Sequence, residues 1–129
     1  MGKKFRVIVA GTRIFNDYEM LARELLSFID DIADEMDSLE FVSGTAKGAD
    51  TLGEQFAHTY GYQVKRFPAK WHQYGKIAGP IRNRQMAEYA SKETGILFVF
   101  WDGCSRGTKN MIELAEQYGL EIHVIKYIS

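Results

Sequence analysis

The feature that most constrains this chain is an alternation. Short runs of β-branched and aromatic residues, each the length of a buried strand, are separated by segments whose apolar residues recur at helical spacing. Lys4 to Ala10 (KFRVIVA) reads as a first strand ended by Gly11. A helix is expected from Asp17 to Met36, with Leu21, Leu25, Phe28, Ile29, Ile32 and Met36 on one face and a capping box from Asn16 and Glu19. Leu39 to Ser43 reads as a second strand, and Ala49, Leu52, Phe56, Ala57 and Tyr60 as the stripe of a second helix stopped by Gly61. Tyr62 to Arg66 is a more polar strand suited to a sheet edge, whereas Ile96 to Trp101 (ILFVFW) is apolar on both faces, as a central parallel strand should be. Between them, Phe67 to Ala78 lacks a clear period, which favours a functional loop. Pro80 then suits the first turn of a third helix. Gly107 to Tyr118 is a fourth helix and Glu121 to Lys126 a last strand.

Such alternation implies a parallel sheet with helices on both faces. The expected fold is therefore α/β: one Rossmann-like, doubly wound domain over residues 1–129, with about five strands in the order 3-2-1-4-5. A ligand would lie outside the carboxyl ends of strands 1 and 4, where the strand order reverses.

Composition narrows the class. Hydrophobic residues make up 46% and charged residues 26% of the chain, which argues against disorder. Sixteen Lys and Arg against 17 Asp and Glu leave a net charge of −1, so nucleic acid is not an expected partner. The longest uncharged apolar run, Gly95 to Trp101, is far short of the ~20 residues of a membrane span. No signal-peptide or myristoylation pattern opens the sequence, and the expectation is a cytoplasmic protein without a membrane anchor. The one cysteine, Cys104, excludes an internal disulfide and a cysteine-based zinc site, and His58, His72 and His123 lack ligand-like spacing, so no metal site is expected.

The chemistry-bearing residues gather in the loops after strands 1 to 4: GTRIFND (11–17), GTAKGAD (44–50), the stretch 67–84, and DGCSRGTK (102–109). Those windows hold eight of the 16 Lys and Arg but three of the 17 Asp and Glu. Positive charge thus collects at the sheet edge where this fold binds ligands, and helix N-termini add amide donors suited to phosphate. Trp71, Tyr74 and Trp101 offer aromatic faces for a base. Together they point to a nucleotide-sized ligand. Each feature also has a plainer use. Gly44 and Gly48 serve turns equally well, Thr12, Ser43 and Thr108 can cap backbone groups, and Trp101 can be core. Arg82 and Arg84 face different sides of their helix. Neither a G-x-G-x-x-G fingerprint nor a P-loop is present, because Lys47 precedes Gly48 in SGTAKGADT.

At these same residues the chain resembles the SLOG superfamily, which includes LOG-type nucleotide phosphoribohydrolases, DprA and the small YspA-like, cpYpsA-related proteins. The YspA-like pattern is recognisable in GTRIFND (11–17), VSGTAKGAD (42–50), FPAKWHQYGKIAGPIRNRQM (67–86) and FWDGCSRGTKNMI (100–112). The resemblance implies a Rossmann-like protein that binds a nucleotide-derived ligand, ADP-ribose- or NAD-like or a signalling nucleotide, with no further cofactor required. By position, Gly11, Thr12, Arg13 and Phe15 would form one wall and Ser43, Gly44, Lys47, Gly48 and Asp50 a second. Trp71, Arg82 and Asn83 would reach in from the third connection, and Trp101, Asp102, Ser105, Gly107 and Thr108 from the fourth.

The resemblance to LOG enzymes is incomplete at the catalytic positions. Arg82 and Met86 match, but Asn83 replaces a Lys. Lys109, Asn110 and Met111 follow Gly107-Thr108 where LOG enzymes carry glutamates, and Glu113 lies two residues too far along. Without those carboxylates the expectation is a sensor or sequestering protein, in a bacterial cell or encoded by a phage. The alternative is a hydrolase of an N-glycosidic bond, with Arg82, Asp50 and Asp102 as catalytic candidates. Single-stranded DNA binding of the DprA kind is a lesser alternative. Self-association into a dimer or tetramer is expected from the resemblance.

Overall fold

The computed structural model describes residues 2–128. Five parallel strands, β1 (Lys3–Gly11), β2 (Met36–Ser43), β3 (Gln63–Arg66), β4 (Thr94–Trp101) and β5 (Glu121–Lys126), form one sheet in the order β3-β2-β1-β4-β5. The helices are α1 (Tyr18–Ile32), α2 (Ala49–Thr59), the single turn α3 (Trp71–Tyr74), α4 (Ala78–Ser91) and α5 (Arg106–Gln117). A 3₁₀ turn at Gly75–Ile77 joins α3 to α4. This is the doubly wound arrangement and strand order expected from the alternation.

Successive side chains of a strand point to opposite faces, so each central strand feeds two cores. Phe5, Val7 and Val9 of β1 pack with Leu21, Leu25 and Phe28 of α1 and Phe56 of α2. Ile8 and Ala10 pack on the other face with Met86, Ala87 and Ala90 of α4 and Met111, Leu114 and Ala115 of α5. The strand order reverses between β1 and β4, which are paired from Phe5–Thr94 to Gly11–Phe100. Beyond the carboxyl ends of these two strands the connections diverge to opposite faces and leave a crevice.

The first helix differs from its expected bounds. It ends at Ile32, and Met36 opens β2 opposite Lys3 instead of extending the helical stripe. The tail of the segment, Asp30, Asp31, Asp34 and Glu35, puts acids where a helix C-terminus favours cations, and the last turn has none. Pairing with β1 takes over, beginning with the Lys3 amide donating to the Glu35 carbonyl at 2.7 Å. At the other end the cap is Asp17, not Asn16: its carboxylate accepts from the Met20 amide at 3.0 Å. Among the described residues no helix is long and apolar enough to cross a membrane.

Candidate functional site

The crevice beside the end of β1 holds a cavity of about 170 Å³. Ala10, Met86 and Met111 make its apolar floor, Asp50, Arg82 and Asn83 its polar wall, and Ser105, Gly107 and Thr108 the start of α5. Arg13, Ala46, Trp71 and Arg82 also border an outer chamber of about 390 Å³, closed by Gly44–Lys47 and Pro68–Ala69. The two chambers adjoin as one cleft through the residues they share, Arg13, Ala46, Trp71 and Arg82.

Its electrostatic centre is Asp50 and Arg82. Asp50 lies in the first turn of α2, is 4% exposed, and accepts a long bond of 3.4 Å from the Ala46 amide. Burial pushes its carboxyl up to about 6, with Arg82 and the Ala46 and Gly44 amides pulling the other way and Glu54 adding to the rise. Arg82 is held by two acceptors: Nη1 donates to the Gly44 carbonyl, and Nε to Asn83 Oδ1 at 3.0 Å. Burial lowers its pKa, Asp50 opposes that, and the neighbouring cation Arg13 lowers it again. Among the described residues neither Arg13 nor Arg82 has a carboxylate oxygen within ion-pair distance.

Two glycines make this packing possible. A methyl on Gly44 would lie 2.7 Å from Asp50 Oδ2 and 2.9 Å from Arg82 Nη1, so the missing side chain is the space in which those charges approach. Gly48 caps α2 at φ +82, and a methyl there would meet the Thr12 and Arg13 carbonyls at 2.4 and 2.6 Å. Its freedom therefore lets the first two loops pack backbone on backbone. Between them Thr45 adopts φ 63, and its amide donates to Ser43 Oγ at 3.0 Å.

Ser105 caps α5: its hydroxyl oxygen accepts from the Thr108 amide at 3.5 Å and from Thr108 Oγ1 at 3.1 Å. Asn83 ties α4 to α5 by donating to Asn110 Oδ1 at 2.9 Å and to the Gly107 carbonyl at 3.3 Å. The start of α5 is thereby fixed beside Arg82, with the amide-rich end of the helix toward the cleft.

Of the residues expected at the site, Gly11, Arg13, Asp50, Trp71, Arg82, Asn83, Ser105, Gly107 and Thr108 line the inner chamber. Gly44 and Lys47 line the outer one. The others lie elsewhere. Phe15 is 3% exposed and stacks on Phe100 at 4.9 Å, beneath a separate depression on the α1 side that Asp102 also lines. The Asp102 carboxylate accepts from the amides of Cys104 and Ser105 at 2.8 and 2.9 Å, and those bonds lower its pKa. Thr12 Oγ1 accepts from the Asp102 amide at 3.2 Å, and Ser43 donates to Glu54 at 2.5 Å. Trp101 gives its indole N–H to the Ser105 carbonyl at 3.2 Å and packs on the α4–α5 core. Ala10, Ala46, Gly79, Pro80 and Met111 join the lining unforeseen, and Met86 joins it as the methionine that matches the LOG pattern after Arg82. Small apolar side chains carry no sequence signal of a site. Glu54, four residues after Asp50 on the same helix face, lines neither chamber; it accepts from Ser43 and pairs with Arg66. Among the described residues no three His, Cys, Asp or Glu side chains are gathered as a metal ion would need.

A model of the YspA, cpYpsA-related SLOG family (YAcAr) matches residues 5–74, from β1 through α3. No curated protein sequence matches the chain. Among solved structures, the chain is similar to DNA processing protein A (DprA) from Streptococcus pneumoniae, with 20% identity and a TM-score of 0.65. That likeness is one of fold. It covers 97% of this chain and 51% of the other, so the chain spans about half the length of that protein.

Proposed function

The chain belongs to the YspA, cpYpsA-related SLOG family, and from that premise we propose that it binds a nucleotide-derived small molecule in the cleft between the end of β1, α4 and the start of α5. One observation carries the reading. Arg13 and Arg82 both line the cavity, and although the Asp50 charge favours the Arg82 cation more than Arg13 opposes it, no carboxylate among the described residues is in ion-pair contact with either arginine. An anion beside them would be the direct partner both lack, and the first amides of α5 add directed donors. A phosphate is the anion suited to that fork, and Trp71, about half exposed where the chambers adjoin, offers a face to a base. The buried Asp50 carboxylate suits a ribose hydroxyl or an amino group. Such a ligand is ADP-ribose- or NAD-like or a signalling nucleotide, and the protein acts on it as a sensor or a sequestering protein. It needs no further cofactor.

The test is incubation with mononucleotides, NAD, ADP-ribose and cyclic dinucleotides, with mass spectrometry of the bound and free fractions. An unaltered compound enriched on the protein, and lost in Arg82→Ala, is the expected result. No enrichment of any compound overturns the reading.

A second reading has its own observation. A carboxyl that titrates near neutrality beside an arginine is what proton transfer to a leaving base requires. In that reading the protein is a hydrolase of an N-glycosidic bond, with Asp50 moving the proton and Arg82 holding the phosphate. Free base and ribose phosphate in the same incubation, abolished by Asp50→Asn, would favour it; intact compounds throughout would exclude it.

A further inference from the structure

Arg82 and Arg84 lie on different faces of α4. Arg82 enters the cleft, while Arg84 faces a second concavity of about 530 Å³ between α4 and the edge strand β3. We propose that this groove holds the phosphodiester chain of a short oligonucleotide whose terminal nucleotide sits in the cleft. The proposal rests on the reading of the cleft above and deepens it by naming the ligand's length and class.

The groove is cationic, and Lys65 already lies 5.8 and 5.9 Å from the ring centroids of Phe67 and Tyr89. Lys65 of β3, Lys70 of the following loop, Arg84 on α4 and Lys92 at its C-cap line it and are exposed. Among the described residues none of the four forms an ion pair. Glu88 is the one carboxylate in the lining, and the fifth cation there, Arg66, is already paired with Glu54 at 3.3 Å. A chain with net charge −1 has therefore placed a cationic strip along one groove. That strip matches a partner with regularly repeated negative charge.

Continuity selects the partner. Pro68 borders both the groove and the outer chamber, so an anionic chain can run from one to the other without leaving the surface. Phe67 and Tyr89, partly buried at 5.5 Å between ring centroids, give the groove an apolar wall. A single strand is flexible enough to turn from the groove into the cleft. A duplex, with a persistence length of about 50 nm, is not. An acidic peptide would satisfy the charge but would bring no nucleotide to the cleft.

The experiment measures fluorescence-anisotropy binding of labelled thymidine mono-, di-, tetra- and octanucleotides to the native protein over a range of salt. It repeats the series with Lys65→Glu/Arg84→Glu/Lys92→Glu and with Arg82→Ala. Affinity is expected to rise with length and to fall with salt. The triple variant should lose the gain with length, about tenfold or more, and its salt slope should flatten by about 2, at ~0.7 for each phosphate no longer neutralised. Mononucleotide binding should be untouched in that variant and lost in Arg82→Ala. Equal affinity at all lengths overturns the groove while leaving the cleft reading intact. Length-dependent binding without mononucleotide binding overturns the cleft as the terminal seat. Displacement of the octanucleotide by poly-glutamate at equal charge concentration overturns the nucleotide assignment in favour of an acidic protein partner.

Discussion

The two faces of the sheet are made by the same strands yet packed with different side chains. On the α1–α2 face the core is aromatic: Phe28 meets Phe98 at 5.1 Å between ring centroids, and Phe41 meets Phe56 at 5.7 Å. On the α4–α5 face the fully buried cluster holds no aromatic ring: half of it is Ala10, Ala87, Ala90, Ala115, Met86 and Met111, and the rest is Ile, Leu and Val. Large rings fill volume and fix geometry. Small residues let helices and backbone approach closely, but above Ala10 and Gly11 they leave space that polar groups from all four connections after β1 to β4 surround. One face supplies stability and the other supplies a site, although each strand serves both.

The most direct way to break that contrast is to truncate one residue on each face. Phe98→Ala, at 2% exposure, should cost about 3–5 kcal/mol by urea denaturation. It should leave ligand affinity unchanged in the fraction that remains folded. Met86→Ala, though 1% exposed, borders an existing cavity, so it should cost about 2 kcal/mol, at the low end for such truncations, while altering affinity. Equal stability losses, or equal effects on affinity, would show that the two faces are not divided in this way.

Asp50 sharpens the same contrast through pH. Its carboxyl titrates near 6 in the folded chain against 3.8 for the ordinary group. The native state therefore binds the proton more tightly than the unfolded state between those values. The resulting stabilisation is complete below about pH 4, falls as pH rises, and is gone above about pH 6. Relative to the protonated form, ionised Asp50 thus leaves the fold less stable by about 2–3 kcal/mol at pH 7. Asp50→Asn keeps the shape and removes the charge, so thermal unfolding followed from pH 4 to 8 should lose that slope. A slope unchanged in the variant would assign it to other carboxylates.

The fold is legible in the sequence because alternation and period are local properties of the chain. The end of α1 is not, since Met36 continues the helical spacing and only its pairing opposite Lys3 makes it strand. Much of the cleft lining is legible too: Arg13, Asp50, Arg82, Asn83 and the start of α5 lie in loops that the topology brings to one edge. Asp102 and Trp101 show where such reading stops. An aspartate that accepts two neighbouring amides and one that faces a ligand have the same side chain, and only the backbone turn at Cys104–Ser105 tells them apart. The cationic groove is hidden for another reason. Whole-chain charge balance averages over it, and Lys65 and Lys92 lie outside the loops after the strands.

The smallest effect tests the cleft's own end of a helix. Ser105 caps α5, whereas α2 starts at Gly48 and α4 at Ile77 with no side-chain cap. The Ser105 hydroxyl thus takes up the Thr108 amide and orients its hydroxyl beside the cavity. Ser105→Ala should cost about 1 kcal/mol in urea denaturation, as loss of a serine cap does elsewhere. Ligand then competes to restore the missing acceptor. A phosphate at this terminus would accept from the freed Thr108 amide, so saturating ligand should recover part of the loss and narrow the gap between variant and native protein. If the gap is the same with and without ligand, the anion does not sit at the start of α5, and the arginines alone hold it.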